Sequence, residues 1–258
     1  MSLVIGTNIA AQLAAHYLSQ SRNDFTRAMT RLASGKRINS AADDPGSISL
    51  AANLMSSVRG AAMAKQNANH AIAATQVADS ALVEVESMLQ RIRELKVQSL
   101  SAGTYSATDI TNMNSEIAQL AAEIDAIAAN TKFNGTAVSG MALNPAIRQD
   151  GATAAMALPA FLSGAVASGS TVAHIDTAIN SAASARGSLG AFMNRLESTV
   201  NNLSSIQANT AAAYSRIMDT DYAAESAALA KAQVMQQAGA AVLAQANASM
   251  RFILILLQ

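Results

Sequence analysis

The first 35 residues carry an apolar or small side chain at every seventh position. These positions are Val4, Ala11, Leu18, Phe25 and Leu32. The positions between them hold small residues, namely Thr7, Ala14, Ser21 and Ala28. A repeat of seven predicts an amphipathic helix with one coiled-coil seam. Gly35 follows the last repeat and is placed to end this helix.

A polar connector, "SGKRINSAADDPG", separates this helix from a much longer one. Within it, Asp44 is the predicted N-cap and Pro45 the predicted first helical residue. The second helix is predicted from Pro45 to Leu100. Its clearest apolar stripe consists of Leu82, Val85, Leu89 and Ile92, with Leu95 beside it.

After the break "SAGTYSATD", a third helix is predicted, and it ends at "NTKFNG". Its seam alternates spacings of three and four, as in coiled coils: Ile110, Met113, Ile117, Leu120, Ile124 and Ile127. Residues 133–171 then lose the heptad pattern, become richer in Gly, Ser, Pro and Thr, and contain short β-capable runs. We predict a β-hairpin or loop cap there.

Helical periodicity returns near Val172 and predicts helix almost to the end of the chain. A seam with spacing seven runs through Leu189, Leu196, Leu203, Thr210 and Ile217, and the chain becomes Ala-rich beyond Tyr222. Helix at both ends and non-helical sequence in the middle predict a mainly α fold, a long antiparallel bundle with paired terminal helices. The predicted domains are 1–43 with 218–258, and 44–217 including the cap.

Composition limits the classes of function that this protein can have. In 258 residues, 17 Lys and Arg balance 17 Asp and Glu, so no charge excess indicates nucleic acid or an anionic membrane. Only 13% of residues are charged and 3% aromatic, whereas 51% are hydrophobic, with Ala the most frequent of them. Cysteine is absent, which excludes disulfides and thiol chemistry. The start "MSLVIGTNIA" shows no cleavable secretory signal, so we expect any export to use another route.

No pattern of catalytic or metal-binding residues is present in the sequence. His16, His70 and His174 are far apart and lie beside no paired carboxylates. Helix capping explains the pair Asp43 and Asp44 better than acid–base chemistry does. We therefore predict that the protein is not an enzyme and has no metal site or cofactor.

The terminal segments carry more apolar surface than one paired seam covers. The chain ends in "RFILILLQ", whose six apolar residues are far too few to cross a bilayer. Extended apolar surface of this kind marks an interface, and other copies of the same chain are the simplest partner. The predicted subunit contacts are Leu18, Phe25, Leu32, Leu229, Leu243, Phe252, Leu254 and Leu257.

Four segments, in order, resemble bacterial flagellin: "RLASGKRINSAADDPG", "NANHAIAATQVADSALVEVESMLQRIRELKVQSL", "EIAQLAAEIDAIAANTKFNG" and "SRIMDTDYAAESAALAKAQVMQQAGAAVLAQAN". The sequence departs from that family at Pro45–Gly46, where a small helix-forming pair is usual, and at Met250, where proline is frequent. The variable outer domains are missing, so the chain resembles a minimal flagellin.

The resemblance implies a structural subunit that polymerises into the extracellular flagellar filament for swimming motility. It implies flagellar type III export without a cleavable signal peptide, and terminal helices that line the central channel of the filament. The implied partners are other subunits, the filament cap, hook-associated junction proteins and an export chaperone. Neither nucleic acid nor a membrane is an expected partner.

Some flagellins are sensed by a Toll-like receptor. Carried over from the resemblance, the contacts here would be Gln90, Arg91, Leu95 and Glu116. The alternative is that Leu95 packs internally and that the other three form a solvated or subunit-facing patch.

Three other functions compete with a filament subunit. The hook–filament junction protein resembles flagellin at its ends but usually has a longer central region. A helical export effector or membrane-active carrier would need a cationic helix face, and the last 40 residues have only Lys231 and Arg251. An enzyme-bearing flagellin would need a larger insertion than the cap.

Overall fold

The computed structural model describes residues 7–101, 103–148, 150–160 and 166–256, with side chains up to Ser249. These residues form five helices and two short antiparallel hairpins, which confirms the mainly α prediction. The helices are α1 (Ile9–Ser34), α2 (Pro45–Ser99), α3 (Ala107–Asn130), α4 (Val172–Met218) and α5 (Tyr222–Leu256). The hairpins pair β1 (Lys132–Phe133) with β2 (Thr136–Ala137), and β3 (Ala142–Leu143) with β4 (Met156–Ala157).

The chain forms two compact units, and α2 and α4 each contribute residues to both. One unit comprises Met1–Met55 with Ala211–Gln258, and the other Ser56–Thr210. The domain limits predicted from the sequence, at residues 43 and 218, stay a prediction.

In the first unit, α1 and α5 pack antiparallel through small residues. Ala14, Ser21 and Ala28 are the buried positions of α1, and they are seven residues apart. The Ser21 hydroxyl donates to the Ala232 carbonyl over 2.9 Å. A methyl group added at Gly239 would lie 3.4 Å from Leu18 Cδ1. The two helix backbones approach closely because few atoms separate them.

The two segments that leave this helix pair are joined by a short β-bridge between Lys36 and Asp219. Arg37 donates its backbone N–H to the Met218 carbonyl over 2.7 Å, and Thr220 donates to Gly35 over 3.0 Å. Gly35, with φ +68°, ends α1 as predicted.

The predicted uninterrupted helix from Val172 towards the C-terminus is wrong, because residues 219–221 break it. The backbone at this break bonds to the connector instead of continuing the helix. Asp221 then caps α5, since its Oδ1 accepts the N–H groups of Ala223 and Ala224.

The connector between α1 and α2 is held by two carboxylates. Asp44 Oδ1 accepts the Ser47 N–H, as predicted for an N-cap, and Asp43 Oδ2 accepts the N–H groups of Asn39 and Ser40. Hydrogen bonds from Ser40 and Asn39 lower the pKa of Asp43, and those from Ser47 lower the pKa of Asp44.

The buried apolar residues of the second unit form separate clusters, and the predicted stripes supply many of their members. Leu82, Leu89 and Ile92 of α2 are at most 1% exposed, and Ile117 of α3 and Leu196 of α4 are equally covered. The hairpin segment packs on the first of these clusters through the buried residues Val138, Leu143, Ile147, Ala154 and Leu158.

The turn of the first hairpin follows from its sequence. Asn134 and Gly135 both have positive φ, 49° and 80°, as the tight two-residue hairpin turn requires. The predicted cap is therefore confirmed as hairpins packed on the helices.

Two neighbouring positions of α2 test which residues of this helix belong to the core. Leu82 is 1% exposed and Val83 is 40% exposed. We expect Leu82→Ala to lower the free energy of unfolding of the monomer by about 2–5 kcal/mol, because it leaves a cavity. The matched control Val83→Ala should change it by at most about 0.5 kcal/mol. Urea unfolding followed by circular dichroism measures both, and equal losses would contradict the assignment.

The connector predicts a pH dependence. Because the folded pKa of Asp43 and Asp44 lies below the unfolded value of about 3.9, their stabilisation is complete above that pH. It is lost as the pH falls through the folded pKa. The Asp43→Asn/Asp44→Asn variant should therefore be less stable than wild type at pH 7, and the difference should disappear in stronger acid. A difference that stays constant from pH 7 into that range would exclude this role of the carboxylates.

Candidate assembly surface

The structure places five of the predicted subunit contacts on the seam between α1 and α5. Leu18, Phe25, Leu32, Leu229 and Leu243 are half-buried there, beside the small buried residues. Their contacts with other subunits stay a prediction, and only their exposed parts are free for such contacts. Three further predicted contacts, Phe252, Leu254 and Leu257, have side chains outside the described residues.

Other large apolar residues of the same helices point away from the seam. Each is more than half exposed: Ile9, Leu13 and Tyr17 on α1, and Val234, Met235 and Val242 on α5. Sequence reasoning missed them because it followed only the heptad seam. The signal was present, since Ile9, Leu13 and Tyr17 are spaced four apart and so share a second face of the helix. They enlarge the surface available for assembly.

A groove of about 520 Å³ runs along one flank of the α1–α5 pair. Tyr17 and Met235 line one end, and Arg31 and Glu225 line the other, with Lys231 between them. Tyr17 and Arg31 are 14 helical residues apart, or about 21 Å. The groove therefore has an apolar end and a charged end.

At the charged end lies the one ion pair that joins α1 to α5 within the described residues. Arg31 Nη1 is 3.7 Å from Glu225 Oε2, too far for a hydrogen bond. The buried Arg31 Nε has no hydrogen-bond acceptor among the described residues. The pair thus contributes little to holding the two helices together, and the seam of small residues carries the packing.

The proposed receptor residues lie in the second unit. Gln90, Arg91 and Glu116 are exposed, whereas Leu95 is buried in the core. Arg91 donates from Nε and Nη2 to Glu116 Oε1, over 3.1 and 3.0 Å. This hydrogen bonding to Glu116 raises the pKa of Arg91. The exposed patch therefore consists of Gln90 and the ion pair between Arg91 and Glu116, and Leu95 is buried beneath it.

Within the described residues, no cluster of three or more His, Asp or Glu side chains is arranged to hold a metal ion. His16, His70 and His174 are all exposed, and His16 lies against the Tyr17 ring. None of the described helices is long and apolar enough to span a bilayer.

Two family models match the helical parts of this chain. A family model described as the bacterial flagellin N-terminal helical region matches residues 5–138, and one for the C-terminal helical region matches residues 172–257. The match to the crystal structure of Bacillus cereus flagellin has a TM-score of 0.48 and 27% identity, covering 54% of this chain and 88% of that one.

Full-length relatives extend the similarity. The "Flagellar filament 33 kDa core protein" of Treponema phagedenis is 34% identical over 290 residues, covering 99% of this chain and all of the relative. The flagellin of Bacillus subtilis is 34% identical over 303 residues, covering 98% of this chain and 99% of the relative. By both its terminal regions and its full length, the chain belongs to the bacterial flagellin family.

Proposed function

We propose that this chain is a structural subunit that polymerises into the bacterial flagellar filament for swimming motility. The observation that carries the proposal is the row of apolar side chains, each more than half exposed, on both terminal helices. Exposed apolar surface of this extent indicates an interface. A full-length relative is named a filament core protein, which supports the same role.

That relative's name also favours a filament subunit over the hook–filament junction protein. A filament subunit is present in many copies per flagellum, whereas a junction protein is present in few. Counting copies in purified flagella separates the two roles. The proposed role is structural, without catalysis or a cofactor.

The proposal includes the route and the partners that flagellin membership implies. The subunit is exported through the flagellum by the type III route and is extracellular in the filament. Its partners are the filament cap, the hook-associated junction proteins and an export chaperone. The thin seam between the terminal helices supports a chain whose ends are easily unfolded for passage and regain their order on assembly.

Filament growth should depend on the C-terminal tail. Deleting residues 252–258 removes the apolar run "FILILL", and we expect a soluble monomer that does not elongate filament seeds, because a neighbouring subunit would bury this run. Electron microscopy of seeded reactions measures growth. Deletion of Gln258 alone is the matched control and should grow normally. Normal growth of the longer deletion would refute the role of the tail.

A Toll-like receptor is the proposed partner outside the bacterium, through Gln90, Arg91 and Glu116. We expect wild-type monomer to activate a receptor reporter and Arg91→Ala to reduce its potency about tenfold or more, the cost of roughly 1.4 kcal/mol of binding energy. Arg93→Ala is the matched control, since Arg93 pairs with Asp176 of α4 instead. Silent wild-type monomer, or equal potency of wild type and Arg91→Ala, would rule the contact out.

A further inference from the structure

The turn of the first hairpin contains Asn134, the one asparagine of the sequence that glycine follows. Asparagine is among the residue types that heat damages most readily in proteins. The backbone nitrogen of the next residue can attack the side-chain carbonyl carbon of an asparagine when the two atoms come together. Glycine hinders this attack least, because it lacks a Cβ and its backbone moves most freely. The dipeptide Asn134–Gly135 is therefore the one best suited to lose a side-chain amide in this chain.

The reaction needs only water and hydroxide. Hydroxide removes the proton from the Gly135 nitrogen, which then bonds to Cγ of Asn134 and closes a cyclic succinimide. The bond between Cγ and the amide nitrogen breaks, and the amide group takes a proton from water and leaves as ammonia, which regenerates hydroxide. Water then adds at either carbonyl carbon of the ring and opens it. The products are aspartate and isoaspartate, each with a free carboxyl group in place of the amide.

The folded turn holds Asn134 in a conformation that opposes this attack. Its φ of 49° lies in the left-handed region, where ψ is about +47°. At that ψ the Gly135 nitrogen lies on the opposite side of the Cα–C bond from Cβ, so it is turned away from the side chain. Ring closure requires the nitrogen and Cβ on the same side of that bond. Asn134 must therefore leave the turn conformation before it reacts.

The turn is exposed to water, but the residues on either side hold it in place. Asn134 and Gly135 are both exposed. On one side, Phe133 of β1 packs against a buried apolar cluster. On the other side, Val138 is fully buried and donates its backbone N–H to the Thr131 carbonyl over 2.9 Å. Because water already reaches the turn, its conformation controls the reaction.

We propose that Asn134 is a site of spontaneous deamidation controlled by folding: the closed hairpin protects it, and the unfolded chain reacts. The inference goes beyond the proposed function and does not depend on it, because only the dipeptide and the hairpin enter the argument. The modified fraction thus grows with the time that a chain spends with this hairpin open.

The isoaspartate product prevents the hairpin from closing again. In isoaspartate the main chain runs through the former side-chain carbonyl, which adds a methylene group to the backbone of a tight turn. The register that pairs Phe133 with Thr136 is then lost, and with it the hydrogen bond from Val138 to Thr131. The reaction also places a negative charge at the turn, since a carboxyl group is ionised at neutral pH. A chain that reacts while it is open therefore does not regain this part of its fold.

Mass spectrometry of the full-length chain tests the protection. One sample is incubated folded in mildly alkaline buffer and one unfolded in guanidinium chloride at the same pH, and trypsin then releases the peptide 133–148. This peptide also contains Asn144 as an internal control, because Pro145 has no N–H to lose and cannot attack. We expect Asn134 to deamidate at least about tenfold faster in the unfolded sample, which corresponds to about 1.4 kcal/mol for opening the hairpin. Equal rates in the two samples, or no reaction in the unfolded one, overturn the proposal.

Three variants separate folding from the effect of the denaturant. In buffer, Val138→Ala removes a buried anchor of the hairpin and should speed deamidation of Asn134 at least about fivefold, whether it opens the hairpin alone or more of the chain. The matched control Val83→Ala, at a position 40% exposed on α2, should stay within about twofold of wild type. In guanidinium chloride, Gly135→Ala should slow the reaction at least about tenfold, because the added methyl group hinders ring closure. An unchanged rate in Val138→Ala or in Gly135→Ala contradicts the proposal.

Hydrogen exchange at the Val138 amide tests the consequence for the fold. Chain that has formed isoaspartate in guanidinium chloride and is returned to buffer should exchange this amide at least about tenfold faster than fresh chain. Asn134→Asp is the matched control, because it carries the same charge without the added methylene, and aspartate accepts the left-handed conformation. Its Val138 amide should stay protected. Full protection in the isoaspartate form would refute the loss of the hairpin.

Discussion

The close packing of α1 on α5 through small residues is the interaction that decides which apolar surface the terminal helices leave exposed. It is built from Ala14, Ser21 and Ala28 against Ala232 and Gly239, so that little side-chain volume separates the backbones. A seam of this kind gains stability from close contact and from the Ser21 hydrogen bond, but it buries little apolar area per residue. The pair is therefore formed but thinly stabilised within one chain.

Because the seam holds only small residues, the larger apolar side chains lie outside it. Tyr17, Met235 and Val242 have no place in a seam of small residues and remain exposed. In an isolated protein this would be a liability for solubility. In a subunit of a polymer it is the source of assembly energy, because each neighbour that arrives buries surface that the chain itself cannot cover. The small residues of the seam thus explain both the weak packing within the chain and the large exposed apolar surface.

The second unit, in contrast, buries its large apolar residues. Large residues such as Leu82, Leu89 and Leu196 are buried within it, and the hairpins pack on one of its clusters. Ion pairs then tie its helices together at the surface: Arg186 contacts both Asp79 and Glu86, and Arg93 contacts Asp176. This unit has buried clusters of its own, whereas the terminal pair leaves several of its large apolar residues exposed.

The sequence by itself determined the helices, their inner faces and the turns. Heptad spacing identified the seams of α1, α3 and α4, and Gly35, Asp44 and "NTKFNG" marked helix ends, because these signals act within a few residues. The tertiary structure alone decided three things. It broke the predicted last helix at residues 219–221, since the connector offers Gly35 and Arg37, which are distant in sequence, as hydrogen-bond partners. It buried Leu95 beneath the patch of Gln90 and Arg91. It also left Tyr17 and Val234 outside the α1–α5 seam, because which apolar face stays free depends on where the partner helix lies, and periodicity in one helix does not contain that information.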